Sequence, residues 1–404
     1  MALANDIQSG TTSGMNVTAF EPLMPQEGDA GLEELAVTLI ARANQLGGQL
    51  HTNVRASIGD LVRSTDCYYS NLIEGHNTHP REIDRALSDD YSRDPARRVL
   101  QKEARAHIEV QRMIDMGEDP SDSPTSVTYL KWVHHEFCRR LPQELLVVRH
   151  PLTGREVEVK PGELRDGEVE VGRHVPPPAE DVPRFLQRIE EAYDPRRLLP
   201  TRRLIAVAAV HHRLLWVHPF YDGNGRVARL VAHAMLLRFG VGSSVWSVAR
   251  GLARSVERYK TSLMLADDPR RGDLDGRGAL SESRLREFCQ FFLEVCIEQV
   301  NFMESLLQPA ELLRRMKLFV DDEVSAQHLP RGSLALLREA LLAGSVERGR
   351  AADLTGYQER RGREILAALL KAGLLVSQGP RAPVRLGFPI EVAERWFPRL
   401  YPVD

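Results

Sequence analysis

The stretch HPFYDGNGRVAR, residues 218–229, constrains the fold more than any other part of this 404-residue chain. The apolar positions that follow, from Val227 to Leu237, recur at helical spacing. Gly223 and Gly225 therefore lie where a loop becomes the N-terminus of a helix, and free backbone N–H groups there favour anions. Glycine also accepts positive φ and lets a phosphate approach the backbone. The stretch predicts a helix that begins at an anion-binding loop.

The side chains around this loop supply the other groups that phosphate chemistry needs. Arg226 and Arg229 share a helix face, and helical side chains lean toward the N-terminus, so both guanidinium groups are aimed at one anion. Asp222 would repel a bare phosphate, but a Mg²⁺ ion that bridges the carboxylate and the phosphates reverses that sign. His218 precedes the loop and is a candidate base for an incoming hydroxyl group.

Two other interpretations of the glycines are weaker. The run GNGRVA, residues 223–228, also fits the dinucleotide fingerprint G-x-G-x-x-A, but that fingerprint requires a strand before it, and residues 204–216 have a helical pattern. The chain contains no G-x-x-x-x-G-K-[ST] motif. A plain turn with a buried histidine would explain single residues of the stretch but not the whole set.

The stretch resembles the signature of the Fic family, H-P-F-x-[DE]-G-N-G-R-x-x-R, with every specified position filled. Fic proteins are mostly AMP-transferases, which move AMP from ATP to a hydroxyl side chain of a target protein and release pyrophosphate. The resemblance implies that His218 is the catalytic general base and that Asp222 holds Mg²⁺ or Mn²⁺. It also implies an ATP site formed by an anion hole and two phosphate-binding arginines: Gly223, Asn224, Gly225, Arg226 and Arg229.

A second motif lies far upstream, where SNLIEG at Ser70–Gly75 resembles the inhibitory motif of the family, [ST]-x-x-x-E-[GN]. The resemblance implies an inhibitory helix beside the active site, with Glu74 paired to Arg229, the arginine that faces the γ-phosphate. A carboxylate in the arginine fork occupies the γ-phosphate site, so ATP would bind only in a pose unsuited to transfer. The family usually has Asn or Thr after the glycine, and we expect the His76 found here not to matter.

The segment from 145 to 178 changes to short alternating runs of valine broken by glycine and proline, a pattern typical of strands. PGELR at 161–165 and VGRHVPP at 171–177 resemble the regions around the β-hairpin flap of the family. There an extended target segment adds to the flap edge through main-chain hydrogen bonds. We therefore expect a target-docking flap that includes Val171, Gly172 and His174; a plain surface hairpin is the alternative.

The pattern of predicted helices and strands differs again beyond residue 309. Three short helices, at 334–342, 347–354 and 358–370, precede a strand–turn–strand, which suggests a winged helix. The third helix carries Arg360, Arg361 and Arg363, which could meet DNA phosphates, although arginines on an exposed face are also ordinary solvated charge. Dimerisation or target docking is the stronger expectation for this region.

We therefore expect a mainly α chain in four parts. These are a mobile segment at 1–20, an N-terminal helical region with the inhibitory helix at 21–100, a Fic catalytic core with a small β-hairpin flap at 101–308, and a winged-helix-like domain at 309–404. A net charge of −3 argues against a protein that binds nucleic acid over most of its surface. The four cysteines lack paired metal spacing, as is typical of reduced thiols in a cytoplasmic protein, and charged residues break the longest apolar stretch, so we expect no membrane span.

The sequence thus predicts a protein adenylyltransferase that uses ATP and Mg²⁺ or Mn²⁺ and is held in check by Glu74. The expected partners are a target protein with a Ser, Thr or Tyr hydroxyl group and a second copy in a homodimer. Some self-inhibited relatives also remove AMP, and the sequence does not say which direction dominates. The alternative is a DNA-binding regulator whose Fic core senses a nucleotide.

Overall fold

The computed structural model describes residues 14–149, 154 and 156–402, and this part of the chain is mainly α-helical, as the sequence predicts. The helices are α1 Ala30–Gly48, α2 Thr52–Ile73, α3 Pro80–Leu87, α4 Pro95–Asp115, α5 Val127–Cys138, α6 Val182–Ala192, α7 Pro200–Val217, α8 Asn224–Arg238, α9 Val248–Arg254, α10 Val256–Leu265, α11 Glu282–Leu307, α12 Pro309–Ser325, α13 Ser333–Ala343, α14 Ala351–Thr355, α15 Glu359–Lys371 and α16 Ile390–Trp396. The strands are β1 Val147–Arg149, β2 Glu156–Glu158, β3 Leu375–Val376 and β4 Arg385–Leu386.

Helices α7 and α8 form the centre of the core. They pack against each other, and α11, the longest helix, packs on α1, α7 and α9. Nearly every side chain of α8 from Asn224 to Leu236 is buried, which is expected of a helix that has neighbours on all sides. Pro200 begins α7, where its missing N–H costs no hydrogen bond. The signature loop therefore joins the two most buried helices of the fold.

The N-terminal segment differs from the mobile stretch expected for residues 1–20. Residues 1–13 lie outside the described part of the chain, but Phe20 is fully buried, with its ring 4.9 Å from Phe185 and 5.5 Å from Trp216 between centroids. The backbone N–H of Met15 donates to Asp181 at 2.6 Å. An aromatic anchor and a buried carboxylate thus hold residues 15–20 on the core.

The flap region contains less regular structure than the valine pattern suggests. Strands β1 and β2 pair antiparallel, with Val148 opposite Val157. The strand expected near residue 170 is reduced to a single bridge between Val171 and His174. A two-residue turn at Gly172, where φ is +61°, closes this bridge.

The C-terminal region has the order of elements expected from the sequence. Helices α13, α14 and α15 are followed by β3 and β4, which pair with Leu375 opposite Leu386, and a bridge between Val346 and Val384 adds a third segment. The chain then returns to the N-terminal helices: Tyr69 donates to the carbonyl of Leu400 at 3.0 Å. The assignment of this region to the winged-helix class stays a prediction.

Two composition-based expectations concern the interior and the membrane. All four cysteines are buried as free thiols, and burial raises the pKa of each, so they are packed as small apolar side chains rather than reactive groups. Within the described residues, no helix combines the length and the apolar character that crossing a bilayer requires.

Candidate active site

A glycine at the end of α2 sets the position of Glu74. Gly75 has φ of +85°, and its N–H donates to the carbonyl of Leu72 at 3.1 Å. The N–H of His76 donates to the carbonyl of Asn71 at 2.9 Å, which completes the Schellman motif. An L side chain is strained at such a φ, so glycine is the residue that ends the helix here. Glu74 is left as the C-cap residue of the helix, facing the N-terminus of α8.

The loop between α7 and α8 is held by Asn224. Its side-chain oxygen accepts from the N–H of Phe220 at 3.0 Å, and its side-chain nitrogen donates to the carbonyl of the same residue at 2.8 Å. Gly223, just before α8, has φ of +80°. The Asn224 amide is thus committed to the shape of the loop, and the backbone N–H groups of the first helical turn remain for an anion.

His218 is the half-buried C-cap residue at which α7 ends. It has φ of 48°, a left-handed conformation that costs an L residue about 1–2 kcal/mol. Burial, together with the nearby charge of Arg165, lowers the pKa of His218 to about 4. The imidazole is therefore neutral at pH 7, which is the form that accepts a proton.

Arg165 holds the backbone of this strained turn, a role that the sequence did not reveal. It is buried, and its guanidinium donates to the carbonyls of His218 at 2.8 Å, Gly167 at 3.0 Å and Pro177 at 2.5 Å. Its own N–H donates to the carbonyl of Pro219 at 3.0 Å. The sequence placed Arg165 only within the flap region, because nothing in its spacing points to a loop 53 residues away.

The inhibitory motif and the signature meet at Arg229, as the resemblance implies. Arg229 Nη2 lies 2.5 Å from Glu74 Oε1, and Arg229 Nε donates to Ser70 Oγ at 2.8 Å. Burial alone would raise the pKa of Glu74, but the charges of Arg229 and Arg226 outweigh it and hold the pKa below its ordinary value. Glu74 is thus ionised at neutral pH, and the pair is a charge-assisted hydrogen bond.

The Glu74 carboxylate also touches the start of α8. A Cβ atom at Gly225 would overlap Glu74 Oε1, so the two groups approach as closely as only glycine allows. Backbone N–H groups and the helix dipole favour negative charge at this position. The carboxylate therefore occupies the place where the sequence predicts an anion.

Arg226 is held from the other side by a residue outside both motifs. Arg226 Nη2 lies 2.7 Å from Glu103, and His76 Nδ1 lies 2.7 Å from the same carboxylate. We expected His76 not to matter, yet its ring contacts the partner of a signature arginine. Glu103 lies in α4, and its spacing in the sequence gave no signal of this contact.

Asp222 is the acidic residue of the signature. Its side chain is 51% exposed, and the nearest cation, Arg226 Nη1, is 3.8 Å away. This ion pair with Arg226 is long, so the carboxylate keeps oxygen lone pairs that could bind a metal ion. Among the described residues, no group of three or more His, Cys, Asp or Glu side chains is placed to hold a metal ion.

Part of this site lines a cavity of about 590 Å³, within the range of small-molecule sites; Asp222, Asn224 and Arg226 are not among the residues that line it. Its wall includes Glu74, His218 and Arg229, together with residues of the flap and of α10. Apolar side chains from α10, such as Leu263 and Met264, lie on the same wall. The site thus combines an apolar surface, an arginine fork and a neutral histidine.

The predicted flap residues differ in their exposure. Val171 is 38% exposed on the cavity rim. His174 faces inward: its Nε2 lies 2.7 Å from the carbonyl oxygen of Trp216, and the two rings are 5.4 Å apart. His174 therefore anchors the flap to the end of α7 and does not offer an exposed edge.

Comparison with known proteins agrees with the signature. Residues 124–236 match the model of the Fic/DOC family. The protein adenylyltransferase Fic of Nematostella vectensis is 30% identical over 181 residues, which are 43% of this chain and 37% of that relative. The chain thus spans little more than a third of that relative's length.

Two solved structures share the fold. A Fic family protein from Desulfovibrio desulfuricans G20 matches with a TM-score of 0.50 and 18% identity, over 87% of this chain and 95% of that one. Fic-1 from C. elegans matches with a TM-score of 0.51 and 16% identity, over 67% of this chain and 71% of that one. The match to the Fic/DOC model at residues 124–236 therefore lies within a helical fold that the chain shares with solved Fic proteins.

Proposed function

We propose that this chain is a self-inhibited protein adenylyltransferase, which transfers AMP from ATP to a Ser, Thr or Tyr hydroxyl group of a target protein and releases pyrophosphate. The observation that carries the proposal is the contact of Glu74 with Arg229 in a cavity that also contains the neutral His218. The name of the similar protein from Nematostella vectensis supports AMP transfer as the reaction class.

The phosphates of ATP would bind at the N-terminus of α8. Free N–H groups of the first turn and the guanidinium groups of Arg226 and Arg229 supply positive charge there. Arg229 already has a carboxylate partner, so a γ-phosphate has to displace Glu74 to reach it. This competition is the physical basis of the proposed self-inhibition.

Asp222 would hold Mg²⁺ or Mn²⁺, and the residues present fit such an ion. One half-exposed carboxylate leaves phosphates and waters to complete the shell, which is the arrangement that Mg²⁺ favours. The bound ion would neutralise part of the phosphate charge.

His218 would act on the incoming hydroxyl group. Its neutral imidazole takes the proton while the hydroxyl oxygen bonds to the α-phosphorus and the bond to pyrophosphate breaks. Arg165 fixes the carbonyl of His218, so the ring starts from one position on the cavity wall. The exposed Val171 and the turn at Gly172 are proposed to dock the target segment.

The ionised Glu74 carboxylate on the cavity wall is also placed to orient a water molecule. Removal of AMP is therefore a second activity to test at the same site. DNA binding has less support, because the arginines of α15 pair with acidic neighbours: Arg360 and Arg361 each lie 3.2 Å from Glu364. Homodimer formation and a cytoplasmic location stay predictions.

The test is label transfer from ATP to protein, with the label on the α- or the γ-phosphate. The chain is compared with its Glu74→Gly and Glu74→Gly/His218→Ala variants in a lysate with Mg²⁺. We expect α-label in protein, most with Glu74→Gly and none with the double variant. If addition of the chain raises γ-label in protein above that of the lysate alone, or if no variant raises α-label above it, the proposal is overturned.

A further inference from the structure

Glu103 is a buried carboxylate that belongs to neither motif. It lies in α4, its side chain is 1% exposed, and it contacts Arg226 and His76. A buried charge is stable only with partners, so the carboxylate, the guanidinium and the imidazole form one unit. The unit joins the segment after Glu74 to the first turn of α8.

Arg226 is held in one orientation by Glu103 and the Phe137 ring. Its guanidinium is buried, pairs with Glu103 at 2.7 Å and lies 5.3 Å from the centre of the Phe137 ring. Its Nε has no hydrogen-bond partner among the described residues. A planar guanidinium held on two sides presents its remaining N–H group in a fixed direction.

His76 attaches the inhibitory segment to the same carboxylate. Its Nδ1 lies 2.7 and 3.0 Å from the two oxygens of Glu103, and 3.4 Å from Arg226 Nη2. The hydrogen bond to Glu103 raises the pKa of His76, while the charge of Arg226 opposes that rise. The segment that carries Glu74 thus has a second anchor two residues later.

We propose that Glu103 is a positioning residue for Arg226, and that His76 uses Glu103 to anchor the inhibitory segment. The inference rests on the proposed function, since Arg226 is taken as a phosphate contact. Glu103 then acts on ATP in both the inhibited and the released enzyme. His76 acts only while Glu74 is seated on Arg229.

The experiment compares two substitutions in two backgrounds, the natural chain and Glu74→Gly. In Glu74→Gly, Glu103→Gln should raise the KM for ATP by about tenfold or more and change kcat less, because a charge-assisted contact that orients Arg226 is lost. His76→Asn should increase AMP transfer several-fold in the natural chain and leave KM and kcat of Glu74→Gly within about twofold. A purely structural defect would lower the active fraction, and thus kcat, at unchanged KM.

An unchanged KM with Glu103→Gln, or an equal effect of His76→Asn in both backgrounds, would overturn the proposal. If Glu103→Gln does not fold, Glu103→Asp keeps the charge with a shorter reach, and a KM equal to that of the parent would be decisive against it. If Glu74→Gly transfers no AMP at all, the proposed function fails first. In that case, calorimetry with Mg²⁺ and ATP tests the role of Glu103 by itself. We expect Glu103→Gln to bind ATP more weakly than its parent, and equal binding would refute the role of Glu103.

Discussion

Replacing Glu74 by glycine should release AMP transfer, because it removes the carboxylate from Arg229 without altering the arginine itself. Arg229 Nε still donates to Ser70 Oγ, so the guanidinium stays in place and can meet the γ-phosphate. The α-phosphate is then aligned for attack by the hydroxyl group of the target. Arg229→Ala should not reproduce the effect, because it frees Glu74 but also removes the phosphate contact.

The magnitude follows from the contact between Glu74 and Arg229. Hydrogen bonds to charged groups contribute about 1.5–3 kcal/mol. The Glu74 side chain keeps 31% exposure, so solvent screens the pair and the lower part of that range, about 1.5–2 kcal/mol, applies. Each 1.36 kcal/mol is a factor of about ten, so we expect an increase of about 10–30-fold.

The assay is incorporation of α-labelled AMP at equal ATP concentration, with circular dichroism to show that each variant is folded. Glu74→Gln is the matched control: it keeps the shape and a neutral hydrogen bond, so its yield should lie between those of the natural chain and Glu74→Gly. An unchanged or lower yield with Glu74→Gly would mean that Glu74 is only a carboxylate at a helix end.

Four further predictions concern the catalytic loop. His218→Ala should reduce AMP transfer by about 10²–10⁴-fold and leave ATP affinity, measured by calorimetry, nearly unchanged; near-normal transfer would exclude the base role. Transfer by Glu74→Gly should persist as the pH falls below 6.5 and decline near pH 4, because the half-buried His218 stays neutral until its lowered pKa is reached; a decline between pH 6 and 7 would contradict this. Asp222→Ala should raise the Mg²⁺ concentration needed for half-maximal transfer, and full activity in excess chelator would exclude a metal role. Arg165→Met should lower the free energy of unfolding in urea by about 3 kcal/mol or more, since several buried carbonyls lose their donor, whereas a change below about 1 kcal/mol would show that the turn holds without it.

The helices and the signature loop could be predicted because their information is local. The apolar spacing after Gly225 and the sequence Glu74–Gly75 specify a helix start and a helix end, and the structure has α8 and the end of α2 at those places. Arg165 and Glu103 could not be found in this way. Their partners are distant in the sequence, and a single chain carries no mark of which carboxylate or carbonyl a buried guanidinium will meet.

The same limit explains two expectations that the structure changed. Phe20 follows a polar stretch, so local composition suggested mobility, but Phe185 and Trp216 provide a socket for its ring. The family pattern gives His76 no role, and its contact with Glu103 exists only in the folded chain, where α4 lies beside it. In both cases a contact with a residue distant in the sequence determines where the side chain lies.

The contact between Gly225 and the Glu74 carboxylate has a consequence for how the inhibition can be lost by mutation. Any side chain at position 225 would collide with the carboxylate, and it would stand equally in the way of a phosphate that takes the same place. A substitution at position 225 is therefore not expected to give an active enzyme that is free of inhibition. A genetic screen for hyperactive variants should return changes at Glu74 and none at Gly225.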